Sequence, residues 1–140
     1  MSITYKLAEV PEDYEDAREL LRAEQIELHD HELSFPTVLA YEDEECVGLM
    51  SCYIQDDMVI AGPLTLRTDV RRPITALRLC EKFERELSRA GVTRYIIHAE
   101  RGTILEEAIP RYTPNMECYH DDGTARFYIR KIGEFQNGRT

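Results

Sequence analysis

Between Pro73 and Gly91 the sequence repeats Ala76, Cys80, Phe83, Leu87 and Ala90 at steps of four and three. That period lays one apolar stripe along an α-helix. Pro73 suits the first helical position and Gly91 suits the C-terminal cap. Apolar, strand-like runs flank the helix, residues 58–66 before it and 92–99 after it. A chain of 140 residues built this way is restricted to a mixed α/β class with one domain's worth of core.

The rest of the chain supplies more strands than helices. Residues 3–7 alternate as Ile-Thr-Tyr-Lys-Leu and read as a short half-buried strand. Val10-Pro11-Glu12-Asp13 opens a first helix, because acids favour the positive end of the helix dipole. Its stripe runs through Tyr14, Ala17, Leu20, Leu21 and Leu28, and residues 29–36 break it. Residues 37–41 and 46–54 form a hairpin across Glu42-Asp43-Glu44-Glu45, and Gln55-Asp56-Asp57 turns into the strand 58–66. Gly62-Pro63 interrupts that strand, which predicts a bulge or a splayed edge there. Residues 103–111 read as a short helix, and 116–120 with 125–132 as a closing hairpin across Asp121-Asp122-Gly123. The predicted order is β-α-β-β-β-α-β-α-β-β: one domain over residues 1–132 with a polar tail at 133–140, its mixed sheet splayed near 62–66.

Charge narrows the function. The net charge of −10 argues against general nucleic-acid binding, since phosphates would be repelled. Residues 1–66 carry −13 and residues 67–140 carry +3, so the two halves suit partners of different charge. No apolar run is long enough for a membrane helix, and the first residues have no apolar export segment. Cys46, Cys52, Cys80 and Cys118 have no CxxC spacing and read as reduced thiols of an intracellular, cytoplasmic protein. His29-Asp30-His31-Glu32, even with Cys118 and His120, lacks the paired spacing of a zinc site, so no metal is expected. No nucleophile-elbow, Walker or dinucleotide motif occurs.

The segment Leu64-Thr65-Leu66-Arg67-Thr68-Asp69-Val70-Arg71-Arg72-Pro73-Ile74-Thr75-Ala76 resembles the GNAT superfamily of acyl-CoA-dependent N-acyltransferases. Arg71 and Ala76 stand at the first and last positions of that family's (Arg/Gln)-x-x-Gly-x-(Gly/Ala) loop. Gly91 to Ile97 looks like its helix end and following strand, and Ala108-Ile109-Pro110-Arg111-Tyr112 is similar to its Ala-(Ile/Val)-x-x-Tyr stretch. Three positions depart from the pattern. Ile74 replaces the first loop glycine and crowds the approach of a phosphate to the backbone; Leu105 replaces an asparagine; Met116 and Glu117 replace a Gly-Phe.

The resemblance implies acetyl transfer from acetyl-CoA to an amine. Its cofactor-binding positions are Leu64, Leu66, Arg71, Arg72, Pro73, Ile74, Thr75 and Ala76, with the pyrophosphate at a helix start. It also implies a backbone N–H near Leu66 for the oxyanion and Tyr112 as the acid that protonates the departing thiolate. His98 and Glu100, two residues apart on one strand, are the candidate bases, with Asp56 and Asp57 at a nearby turn; a core histidine and a strand-end carboxylate have the same spacing. The acidic half would draw in an amine. The alternative is a catalytically silent GNAT-fold protein, similar in kind to small virion-associated proteins of tailed bacteriophages. Its acidic region from Glu12 to Glu32 would meet a basic protein surface, which leaves room for an oligomer.

Overall fold

The computed structural model describes residues 2–26, 33–70, 73–100, 102, 106 and 117–132. In chain order its elements are β1 (Thr4–Leu7), α1 (Pro11–Ala23), β2 (Val38–Glu42), β3 (Glu45–Gln55), β4 (Met58–Leu66), a 3-10 turn (Thr68–Val70), α2 (Pro73–Arg89), β5 (Arg94–Glu100), β6 (Glu117–Asp121) and β7 (Ala125–Lys131). Apart from Glu106, the short helix expected at 103–111 lies outside the described residues, as do the tail at 133–140, Leu28 and the His29–Glu32 run.

Among the described residues one seven-stranded sheet runs in the order β1-β2-β3-β4-β5-β7-β6. Every neighbouring pair is antiparallel except β4 and β5, which α2 joins as a parallel crossover. Strand alternation sorts the side chains to two faces. Ala61, Leu64, Leu66, Tyr95, Ile97, Ala99 and Tyr128 share a core with Ala76, Leu79, Phe83 and Leu87 of α2. Leu39 and Leu49 point the other way and pack with Ala17, Leu20 and Leu21 of α1.

The long helix follows its expected register with two corrections. Ala90 is exposed, because the helix has already ended: Val92 N–H donates to the Leu87 carbonyl and Gly91 N–H to that of Ser88, with Gly91 at φ 84°. This is the double-bonded terminus that a glycine permits, and it turns Ala90 outward. Cys80 is half-buried, and Leu79 is fully buried. On the Cys80 side, the Glu84 carboxylate accepts from the Tyr95 hydroxyl at 2.7 Å and from Arg130 at 2.7 and 3.2 Å, tying α2 to β5 and β7.

The first helix ends at Ala23, short of Leu28. Gln25 takes φ 61° and lets Ile26 N–H reach the Leu21 carbonyl. Its N-terminus is fixed by Asp13, whose buried carboxylate accepts from Lys6 at 2.8 Å and from the backbone N–H groups of Glu9 and Val10 at 2.9 and 3.2 Å. Burial opposes ionisation of Asp13, but these donors outweigh it and hold the carboxyl below its ordinary value. Among the described residues no helix is long and apolar enough to cross a membrane.

Candidate active site

The sheet opens between β4 and β5. Only Ile60↔Ile96 and Ala61↔Ile97 pair across this parallel junction; from Gly62 onward β4 has no register partner on β5. The cause is local. Opposite β3, the register slips between Met50↔Leu64 and Cys52↔Ala61, so β4 carries one residue more than its partner over that step. The extra residue falls at Gly62-Pro63. Gly62 adopts φ 142°, a conformation that side chains resist, and proline cannot donate to a ladder. The interruption read from the sequence is therefore both a bulge and a splay.

The two strands part at their C-terminal ends, where β4 runs through Arg67 and the 3-10 turn into α2. Arg67 is bound to Asp69 at 2.6 Å and Glu45 at 2.8 Å, so its charge is committed to bracing this turn. At the start of α2, Thr75 and Ala76 are buried, and Ile74 holds its side chain 51% exposed on the first turn. Leu64 and Leu66 point toward α2 from the β4 wall of the opening. Arg71, Arg72 and Tyr112 lie outside the described residues, as do the side chains of Pro73 and Glu100.

On the β5 wall, His98 is half-buried beside Gly62: a Cβ added at Gly62 would lie 3.9 Å from the His98 carbonyl oxygen. Tyr95, Ile97 and Ala99 face α2, so alternation puts His98 on the opposite face. Its imidazole stacks on the Phe127 ring with centroids 4.7 Å apart and planes 8° from parallel. His120 of β6 meets the other side of the ladder, its ring 5.6 Å from Phe127. Asp56 and Asp57 are not brought to the opening. They form the exposed tip between β3 and β4, at the end of β4 that is still paired with β5.

No family model matches the sequence, and no curated protein matches it. Solved structures do match. The PaiA N-acetyltransferase of Thermoplasma acidophilum, solved with coenzyme A, superposes with a TM-score of 0.69 at 15% identity, over 94% of this chain and 99% of that one. The GNAT family N-acetyltransferase YhbS of Escherichia coli, solved with CoA, gives 0.68 at 16% identity, over 94% and 82%. An aminoglycoside 6'-acetyltransferase type Ii gives 0.67 at 17% identity, over 94% and 97%. The chain has the GNAT fold. The described elements follow the order expected from the sequence, in a mixed sheet interrupted at Gly62-Pro63.

Three of the four cysteines are poor nucleophiles, while Cys118 is exposed. Burial pushes the Cys46 thiol up to about 11 and those of Cys52 and Cys80 up to about 12, which keeps them protonated and weakly nucleophilic. Among the described residues no group of three His, Cys, Asp or Glu side chains could hold a metal ion. The Thr65 hydroxyl, between Leu64 and Leu66 but on the opposite face of β4, is buried without a hydrogen-bond partner. Sequence reading weighed His120 only for a metal site and missed that Phe127 lies between it and His98. The alternation of Phe127 with Tyr128 was visible, but β7 had first to be placed between β5 and β6.

Proposed function

We propose that the chain is a GNAT-type N-acetyltransferase moving an acetyl group from acetyl-CoA to an amine, and that it works in the cytoplasm as a single domain over residues 1–132. The observation that carries this reading is the opening between two parallel strands with a helix start at its mouth. Such an opening offers backbone groups to an amide-bearing arm and partial positive charge to a pyrophosphate. Leu64, Leu66, Arg71, Arg72, Pro73, Ile74, Thr75 and Ala76 are the residues that would hold acetyl-CoA there. Bound acetyl-CoA supplies the activated thioester. His98 takes a proton from the ammonium so that the amine can attack, with Glu100 as the other candidate. A backbone N–H of β4 receives the developing oxyanion, and Tyr112 returns a proton to the departing sulfur. The −13 charge of residues 1–66 favours approach of a cationic acceptor.

Exposed Ile74 supports a second reading, because it occupies the first turn of α2 where a phosphate needs close backbone approach. In that reading the fold is catalytically silent and the acidic half meets a basic protein surface. Thiol release from acetyl-CoA, measured with a panel of amines, separates the two. Amine-dependent release supports the transferase; acetyl-CoA that neither binds nor reacts favours the silent component.

A further inference from the structure

His98 stands where the sheet opens. Ile96 and Ile97 of β5 are the last residues paired with β4, and His98 is the next. Here β4 has turned away, so β7 is the neighbouring strand that still pairs with β5, and the register partner of His98 on it is Phe127. The two rings lie flat on each other, with centroids 4.7 Å apart and planes 8° from parallel. A histidine ring turns about a broad, shallow torsion, and His98 is only half-buried. A flat neighbour removes much of that freedom, because the stacked pair keeps the imidazole, with both its nitrogens, in a plane parallel to the phenyl face. Phe127 is in turn held from both edges, since β7 pairs with β5 on one side and β6 on the other. β6 carries one extra residue between Cys118 and His120, and this bulge sets His120 rather than Tyr119 opposite Phe127. The His120 ring packs on Phe127 from that side, 5.6 Å away and tilted by 41°.

We infer that Phe127 is a positioning residue for His98: by stacking, it holds the imidazole in the orientation from which the ring takes the ammonium proton. The inference rests on the acetyltransferase reading of the opening and adds the residue that aims its base. Phe127 moves no proton itself. It contributes by fixing the base in advance, so that less orientational freedom is lost when amine and imidazole meet. Its removal should therefore act on turnover through His98 and leave the cofactor's binding as it was.

Two measurements on the full chain test this. The first needs no substrate. In a proton–carbon correlation spectrum of the histidine rings, the ring protons of His98 lie over the Phe127 face and are displaced upfield. Phe127→Leu should move that signal, identified by its loss in His98→Ala, downfield, and Phe127→Tyr should leave it in place. The second is steady-state acetyl transfer from acetyl-CoA to phenethylamine, spermidine and a short peptide with a free N-terminus, followed with whichever is turned over fastest. Phe127→Leu should lower kcat about threefold to tenfold, the scale of one aromatic pair, while acceptor KM changes less and acetyl-CoA affinity by calorimetry stays the same. Phe127→Tyr should restore kcat. In a His98→Ala background the same leucine substitution should change kcat by less than about twofold, because no ring is left to aim. Phe127→Ile, which also suits a strand and also lacks a flat face, takes the place of leucine in every comparison if Phe127→Leu fails to fold. An unmoved His98 signal, an unchanged kcat, or an equal loss of kcat with and without His98 overturns the inference and leaves the acetyltransferase reading standing. If acetyl-CoA neither binds nor reacts with any of the three amines, that reading falls first and the inference with it.

Discussion

Replacing Asp13 by alanine should destabilise the fold through one identifiable contact set. The carboxylate is 4% exposed and accepts three hydrogen bonds, from Lys6 of β1 and from the N–H groups of Glu9 and Val10 at the start of α1. Hydrogen bonds to a charged group are worth about 1.5–3 kcal/mol each when their partners stay buried. Glu9 and Val10 are exposed, so water recovers much of what their donors lose. Loss of a capping acceptor alone costs about 1 kcal/mol. We expect a total of about 2 kcal/mol at neutral pH, read as a lower urea midpoint at unchanged slope. The pH dependence has a definite sign. The Asp13 carboxyl is held below its ordinary value of 3.8 in the folded chain. Its contribution is therefore complete above that value and is lost as pH falls through the folded one. The gap between wild type and Asp13→Ala should be constant from pH 7 to about 5 and shrink toward pH 3. A gap below about 0.5 kcal/mol at pH 7, or one that does not narrow in acid, would refute the reasoning.

Three further outcomes follow from single positions. Gln25→Gly should raise stability by about 0.5–1 kcal/mol, seen as a higher Tm, because Gln25 closes α1 at φ 61°, where glycine carries no side-chain penalty. Thr65→Val should stabilise by about 1 kcal/mol in the same assay, since it removes a buried hydroxyl that has no partner and keeps the shape. Ile74→Gly should tighten acetyl-CoA binding by about threefold or more in calorimetry, at a cost of roughly 0.5–1 kcal/mol in helix stability, by clearing the first turn of α2.

What the sequence made legible was what depends on neighbours along the chain. Phe83, Leu87 and Ala76 declared the buried face of α2 by their period, and Gly91 declared its end. Ala90 was misread because a helical period says nothing about the turn at which the cap swings a residue out. Gly62-Pro63 marked the splay, since both residues fail in a ladder wherever it runs. Asp13 was read as an acid favouring the helix dipole, yet its main partner, Lys6, belongs to another element and is reached only after β1 and α1 pack. The His98–Phe127–His120 ladder was invisible for the same reason. It exists only because β7 inserts between β5 and β6, and no local pattern states that order.

The central claim is that the opening between β4 and β5 receives acetyl-CoA at the start of α2. Isothermal titration of the full chain with acetyl-CoA tests it most directly. The account predicts saturable binding with one molecule per chain, weakened by Ile74→Glu, which would add a negative charge on the exposed first turn of α2, the proposed pyrophosphate position, in a variant shown to be folded by its unfolding transition. No heat and no saturation with wild type, or equal affinity in the two folded proteins, would contradict it.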